Sequence, residues 1–200
     1  VRQHKRIIFN GNNYAAEWVE EAGRRGLLNL KTTADALPYF VSEKNIMLFE
    51  KHHVFTATEM RSRQEILFEN YGKTIRIEAL TMLGMARQAI QPAALTYTKL
   101  LCDTVLAKRA VSSAISTAAE EKLIYTLSGL CDNLDSQVDQ LHEALSTADA
   151  HEQAHEASDS YRDLVLPAMA RLRETADQIE LNLAAEFQPY PTYAQLLFSL

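Results

Sequence analysis

The stretch Thr56-Ala57-Thr58-Glu59 opens the segment that decides the fold, and this segment extends to about Arg109. A Thr followed three residues later by Glu is typical of a capping box, in which each side chain hydrogen-bonds the backbone N–H of the other residue. Beyond it, apolar residues recur at helical spacing and therefore share one stripe of an α-helix. They are Met60, Ile66, Leu67, Tyr71, Ile75, Ala79, Met82, Ala86, Ile90, Ala93, Tyr97 and Leu101.

Pro92 lies within this long helix. It removes one backbone hydrogen bond and predicts a kink rather than an end, because the apolar pattern continues on both sides of it. A single helix of this length cannot bury its own stripe. We therefore expect other helices to pack along it.

Two further apolar seams follow, over residues 123–145 and 165–183. The first has steps close to a heptad repeat, and Pro167 should bend the second near its start. The polar stretch 148–160 between them predicts a connector. The seams consist of Leu123, Leu127, Leu130, Leu134, Val138, Leu141 and Leu145, and of Val165, Met169, Leu172, Ala176, Ile179 and Leu183. Three long helices with short connections predict a long antiparallel three-helix bundle.

The residues before Thr56 predict short helices clustered at the N-terminal end of the bundle. One carries Trp18 and stops near Gly26, one opens at residues 32–35, and one spans Glu43–Lys51 after Ser42, while Pro38 should start a turn. The predicted class is all-α. The predicted domains are residues 1–55, the short helices, residues 56–187, the bundle, and residues 188–200, a C-terminal docking segment.

Composition narrows the function. The net charge of −6 argues against nucleic acid or an anionic membrane as a partner, and no apolar run is long enough for a membrane span. Cys102 and Cys131 lie singly in helical patterns, which favours buried, reduced thiols in a cytoplasmic protein over the alternative of a disulfide or a reactive thiol. The chain starts Val-Arg-Gln-His without Met, which suggests a piece of something longer.

One motif could carry chemistry. His151, Glu152 and His155 match the H-E-x-x-H pattern of zinc peptidases, in which two His residues on one helix face bind the metal and the Glu activates water. Its neighbours are polar, and a third ligand would have to be Glu174 or Glu180. The alternatives are a zinc hydrolase, adventitious metal binding and a solvated connector, of which the last fits the polar context best.

The remaining candidates are weaker. The adjacent His52 and His53 point in different directions on a helix and share one ion poorly. Met82 and Met85 are predicted to be core residues rather than a ligand surface. From residue chemistry alone we predict no catalytic, cofactor-binding or metal residue.

Several runs resemble the C-terminal region of type III glutamine synthetases, the long bacterial form. The resemblance spans nearly the whole chain, and residues 111–159 carry the least of it. The runs are KRIIFNGN at 5–12, GLLNLKTT at 26–33, SEKNI at 42–46, VFT at 54–56, IEALTM at 77–82, PTY at 191–193 and LLF at 196–198. Residues 54–56 and the closing segment also resemble shorter glutamine synthetases. This second likeness implies that the bundle, from about Ile75 to Phe187, is an insertion in the catalytic fold.

The resemblance implies an ATP- and Mg-dependent glutamate–ammonia ligase of nitrogen metabolism, built as stacked hexameric rings. In that family the catalytic residues lie upstream of the matching region, so no site residue is carried over to this chain. The chain alone is expected to be inactive. Its expected partners are its own upstream catalytic domain and neighbouring subunits. The alternative is a stand-alone α-helical protein-interaction module.

Overall fold

A computed structural model describes residues 2–198. These residues form helices and connections, with no β-strand among them, which confirms the predicted all-α class. They divide into two compact units between Phe68 and Glu69. The predicted domain boundaries after residues 55 and 187 remain predictions. Of the expected N-terminal and C-terminal segments, Val1, Ser199 and Leu200 lie outside the described residues.

The first unit is built from short helices and the first turns of a long one. A 3₁₀ segment, Arg2–Ile7, precedes α1 (Ala16–Arg24), α2 (Thr33–Phe40), α3 (Glu43–Lys51) and the start of α4 (Ala57–Met85). Gly26 ends α1 with a φ of 70°, a left-handed conformation that favours glycine. The predicted capping box forms at α4, where the Thr56 N–H donates to Glu59 Oε2 at 2.8 Å and the Glu59 N–H donates to Thr56 Oγ1 at 3.3 Å.

Few side chains of the first unit are fully buried. Ala34, Leu37, Met60 and Phe68 form this small core, and Gln64 Nε2 donates to the Leu37 carbonyl at 2.9 Å. This bond and the Ala57 N–H bond to Glu50 at 3.1 Å hold α2 and α3 to the first turns of α4. Pro38 lies inside α2 instead of starting a turn, and a Thr32–Asp35 capping box holds the first turn of this helix.

The second unit contains three long helical segments in sequence. The first comprises the rest of α4, a π-turn (Ala86–Ile90) and α5 (Gln91–Val111), and the second is α6 (Ala118–Asp149). The third comprises α7 (Ala154–Ser160), a second π-turn (Tyr161–Val165) and α8 (Leu166–Asn182). A 3₁₀ turn (Ala185–Phe187) and α9 (Tyr193–Leu197) follow.

One apolar core joins the three segments. Leu127, Leu134 and Val165 are almost completely buried, which confirms that the predicted seams at residues 123–145 and 165–183 face inward. The third segment begins earlier than predicted, because the stretch read as a connector contains α7. The small residues of α7 allow close helix contact without a visible apolar stripe, and Ser158 is fully buried.

Both prolines of the long segments follow a π-turn. The Gln91 N–H donates to the Ala86 carbonyl just before Pro92, and the Leu166 N–H donates to the Tyr161 carbonyl just before Pro167. In a regular helix the proline ring collides with the carbonyl four residues earlier. The wider turn moves that carbonyl away, so the helical path continues through each proline.

Ion pairs show the direction of α6 relative to the first segment. Arg76 Nε lies 2.9 Å from Asp149 Oδ2, and Arg87 Nη2 lies 3.2 Å from Asp139 Oδ1. At the other end, Arg109 pairs with Glu121 at 2.5 Å, and Lys108 pairs with Glu120. Residue numbers rise along the first segment as they fall along α6, so the two run antiparallel.

Candidate functional site

The H-E-x-x-H motif does not lie on one helix. His151 and Glu152 occupy the connection after α6, and α7 begins only at Ala154. His151 Nε2 is 2.8 Å from Ser160 Oγ, and His155 Nε2 is 3.6 Å from Asp159 Oδ2. The two His residues therefore lack the shared helix face on which the zinc hypothesis depends. Over residues 2–198, no group of three or more His, Cys, Asp or Glu is placed to hold a metal ion.

A second cluster joins the three long segments of the second unit. The buried Tyr161 hydroxyl donates to Asp149 Oδ1 at 2.5 Å, and Arg76 Nε donates to both oxygens of Asp149, at 3.1 and 2.9 Å. Burial raises the pKa of the Tyr161 phenol, and its bond to Asp149 adds to this effect. The phenol therefore stays protonated and holds the second π-turn to α6. This is a structural joint rather than a reactive group.

The absence of a side chain at Gly72 makes room for that joint. A Cβ added at Gly72 would lie 3.1 Å from Tyr161 Cε2 and 3.2 Å from Cδ2. These distances are shorter than ordinary carbon contacts. Glycine in this part of α4 is thus explained by the close approach of the tyrosine ring.

A groove in the second unit was not predicted from the sequence. Its volume is about 820 Å³, and its walls come from the first π-turn region, from α8 and from the segment after it. We call it the methionine groove, because Met82, Met85 and Met169 line it. Met82 packs partly against the core, as predicted, but Met85 is 38% exposed and belongs to the groove wall.

The charged groups of the groove lie on α8. Arg173 Nε is 2.5 Å from Asp177 Oδ1, so these two charges offset each other. Burial raises the pKa of Glu180, and the neighbouring Asp177 raises it further. Gln188 Nε2 donates to the Glu180 carbonyl at 2.6 Å and thereby holds the C-terminal segment against α8.

Large apolar side chains are exposed mainly in the first unit and on the first long segment of the second unit. In the first unit they are Ile7, Ile8, Tyr14, Val19, Leu28, Leu30, Tyr39, Met47, Leu48, Val54, Ile66 and Leu67. On the segment they are Ile77, Leu80, Met85, Leu95, Leu100, Leu106 and Val111. By contrast, the only one that α6 exposes among its described residues is Tyr125. Where such side chains lie together, the exposed apolar surface is typical of interaction sites.

Cys102 lies in α5 and Cys131 lies in α6. Cys131 is buried, Cys102 is partly buried, and both are free thiols. Burial raises the pKa of the Cys131 thiol, which disfavours the reactive thiolate.

Across the described part of the chain, no helix combines the length and apolarity that crossing a membrane requires.

Comparison with known proteins gives consistent matches. The family model described as glutamine synthetase C-terminal domain matches residues 1–109. The chain is 39% identical over 197 residues to a glutamine synthetase of Butyrivibrio fibrisolvens, which covers 98% of this chain and 28% of the relative. A type-3 glutamine synthetase of Dictyostelium discoideum is 31% identical over 201 residues, or 98% of this chain and 27% of the relative. A glutamine synthetase of Bacteroides fragilis (strain YCH46) is 27% identical over 197 residues, with 96% and 27% covered. The chain therefore spans less than a third of the length of these curated relatives.

Proposed function

Because this chain belongs to the glutamine synthetase C-terminal domain family, we propose that it is the C-terminal structural part of an ATP-dependent glutamate–ammonia ligase. In this proposal it completes the edge of the catalytic domain and contributes to assembly, while the active site lies in the rest of the enzyme. One observation carries the proposal. The exposed apolar residues fall mostly within residues 1–109, the stretch that the family model matches.

The first unit supplies the strongest support. Leu28, Met47 and Val54 are each more than half exposed, although side chains of this kind are stabilised by burial. A folded unit that leaves so many apolar groups in water is stabilised when another surface covers them. The remaining two thirds or more of an enzyme of the relatives' length is the proposed cover.

The segments after residue 109 have a different role in this proposal. α6 and α8 bury the inner stripe of the first long segment against Leu127, Leu134 and Leu172. They brace that segment and leave its outer apolar residues, such as Leu95 and Leu106, available for contact. The finer proposals are that the contacts lie within a cytoplasmic homo-oligomer and that the subunits form stacked hexameric rings.

ATP and Mg²⁺ belong to the whole enzyme in this proposal. Mg²⁺ sites are built from carboxylate and other oxygen ligands, and residues 2–198 hold no cluster of three acidic, His or Cys side chains placed for a metal ion. The described residues therefore offer no such set of Mg²⁺ ligands. No step of the reaction is therefore assigned to this chain.

The test is an assay of glutamine formation with Mg²⁺, ATP, glutamate and ammonium. We expect no turnover by the 200-residue chain and measurable turnover by the product of the complete reading frame. The reading frame should continue upstream of the Val1 codon for most of a relative's length. Turnover by the chain alone contradicts the proposal, and a reading frame that starts at Val1 favours the stand-alone interaction module.

Assembly is tested by the mass of the complete product in solution. Light scattering should give a multimer, and changing Leu95 and Leu106 together to Ser should reduce its mass. The matched control changes the exposed Tyr125 of α6 to Ser and should leave the mass unchanged. A monomeric complete product, or equal effects of the two variants, contradicts the assembly role.

A further inference from the structure

We propose that the methionine groove binds a basic amphipathic helix of a partner protein. The proposal is independent of the ligase activity, because it rests on the shape, side chains and charge of the groove in the second unit. The groove follows α8 from Met169 to Leu181, a length of about 18 Å at the helical rise. A helix of about three turns fits along such a wall.

The apolar lining suits a helix whose sequence varies. Met side chains are unbranched and polarisable, so they repack around different apolar groups and are common on surfaces that accept helical peptides. Met82, Met85 and Met169 line the groove together with Ile90 and Leu172. These side chains offer apolar contacts of the type used when an amphipathic helix lays its apolar face into a groove.

The charged groups of the groove favour a partner with positive charge. The Asp177 carboxylate is already paired with Arg173. In the described part of the chain, the Glu180 carboxylate forms no such ion pair, although it lines the groove. Burial and Asp177 raise its pKa, and the charge of Arg173 only partly opposes them. A Lys or Arg at the edge of a bound helix would place a cation beside Glu180 and restore the favourable interactions that burial has removed.

The test follows Met methyl groups by NMR while a synthetic peptide is added to the 200-residue chain. The probe is a peptide of about four helical turns, with Leu on one face and Lys on the other. We expect saturable shifts of the Met82, Met85 and Met169 methyl signals. Met47 and Met60 of the first unit are internal controls, because Met47 is exposed and Met60 is buried. Shifts at Met47 without shifts at the groove signals overturn the proposal.

A matched pair of variants tests the role of charge. Glu180→Gln should weaken peptide binding about fivefold and reduce its dependence on salt. Glu174→Gln makes the same change at an exposed position on α8 outside the groove lining and should have no effect on affinity. Equal affinity of Glu180→Gln and the unchanged chain, with both folded by circular dichroism, contradicts the proposal.

Three further outcomes identify other occupants and overturn the helix assignment. A peptide with Glu in place of Lys could bind equally well, which removes the charge argument. A simple aromatic amine such as naphthylmethylamine could match the peptide's affinity, which indicates a small-molecule pocket. Groove signals could also shift with protein concentration when no peptide is present, which indicates that a second copy of the chain fills the groove.

Discussion

The two units of this chain use apolar residues in different ways. The second unit buries a continuous series of them in one core that all three long segments share. The first unit buries few, leaves many exposed, and relies on ring contacts and side-chain bonds to the backbone. The second unit therefore has a core of its own to stabilise it, whereas the first unit has apolar surface left for another part of the protein.

The largest expected effect lies in the core of the second unit. Leu134 is 1% exposed, and replacing it with Ala should lower the free energy of unfolding by about 3–4 kcal/mol through lost burial and a cavity. The control Leu106→Ala, at a side chain 65% exposed, should change it by less than about 0.5 kcal/mol. Urea unfolding followed by circular dichroism measures both. Equal losses would mean that the outer face of the first segment is also packed.

The second prediction concerns Arg25 in the first unit. Its Nη1 donates to the Ile8 carbonyl at 2.7 Å, and its guanidinium lies 5.6 Å from the centre of the Trp18 ring. Arg25→Ala should destabilise this unit by about 1–2 kcal/mol through the lost charged hydrogen bonds. The fluorescence of Trp18, the chain's one tryptophan, reports this unit.

The fluorescence transition should therefore move to lower urea while the circular dichroism transition, dominated by the long helices, stays in place. Arg24→Ala is the control, because the Arg24 side chain is 73% exposed. If both transitions shift together in Arg25→Ala, the two units unfold as one, and the comparison fails.

A pair of glycines in α4 gives the third prediction. Gly84→Ala should stabilise the protein by up to about 1 kcal/mol, because Ala favours helix and no described atom lies within 4 Å of the new Cβ. Gly72→Ala should instead destabilise by about 1 kcal/mol, since the Tyr161 ring is buried and tied to Asp149. Thermal unfolding compares the two variants. In a Tyr161→Phe background, in which the ring has no bond to Asp149, Gly72→Ala should lower the stability by less. An equal loss of stability in both backgrounds would show that the bond to Asp149 does not matter.

The smallest expected effect is a loss of stability in acid. A bond from Lys108 lowers the pKa of Glu120, and a bond from the Thr117 hydroxyl lowers that of Glu121. A carboxylate with a lowered pKa in the folded state binds fewer protons there than in the unfolded chain. Its stabilising effect is therefore present above the ordinary value of 4.5 and disappears as pH falls through the folded-state value.

Melting temperatures from pH 7 to pH 3 test this effect. The double variant Glu120→Gln and Glu121→Gln should have a slightly lower melting temperature at pH 7. Its melting temperature should fall less on acidification. Glu143→Gln, an exposed control on α6, should follow the unchanged chain. Identical acid profiles for all three proteins would show that these ion pairs contribute nothing measurable.

The helical segments were largely predictable because their signals are local. The Thr56–Glu59 capping box and the heptad steps from Leu123 to Leu145 each arise from residues a few positions apart. The start of the third segment was not predictable in this way. Ala154 and Ala157 carry no apolar stripe, and the burial of Ser158 depends on contact with other segments.

The candidate sites depend still more on tertiary structure. Met82, Met85 and Met169 become neighbours only when the first segment packs against α8, so their spacing in the sequence contains no sign of a groove. For the H-E-x-x-H motif the reverse holds, because the sequence shows a sign of a site that the structure does not form. Its spacing is right for two His on one helix, but the helix begins after Glu152, and spacing alone does not fix that boundary.

The π-turn before Pro92 also sets the rotational phase of the first long segment. Ile75 and Val105 are both buried, yet thirty positions of regular α-helix would set them about 120° apart around the axis. Without the one additional residue that a π-turn accommodates, the angle would be about 20°. Any alignment of heptads through residues 86–90 must therefore skip one position. A natural variant that lost one residue there and formed a regular helix would keep the inner face of α5 inward, whereas a variant that gained one residue would turn this face by about 100°.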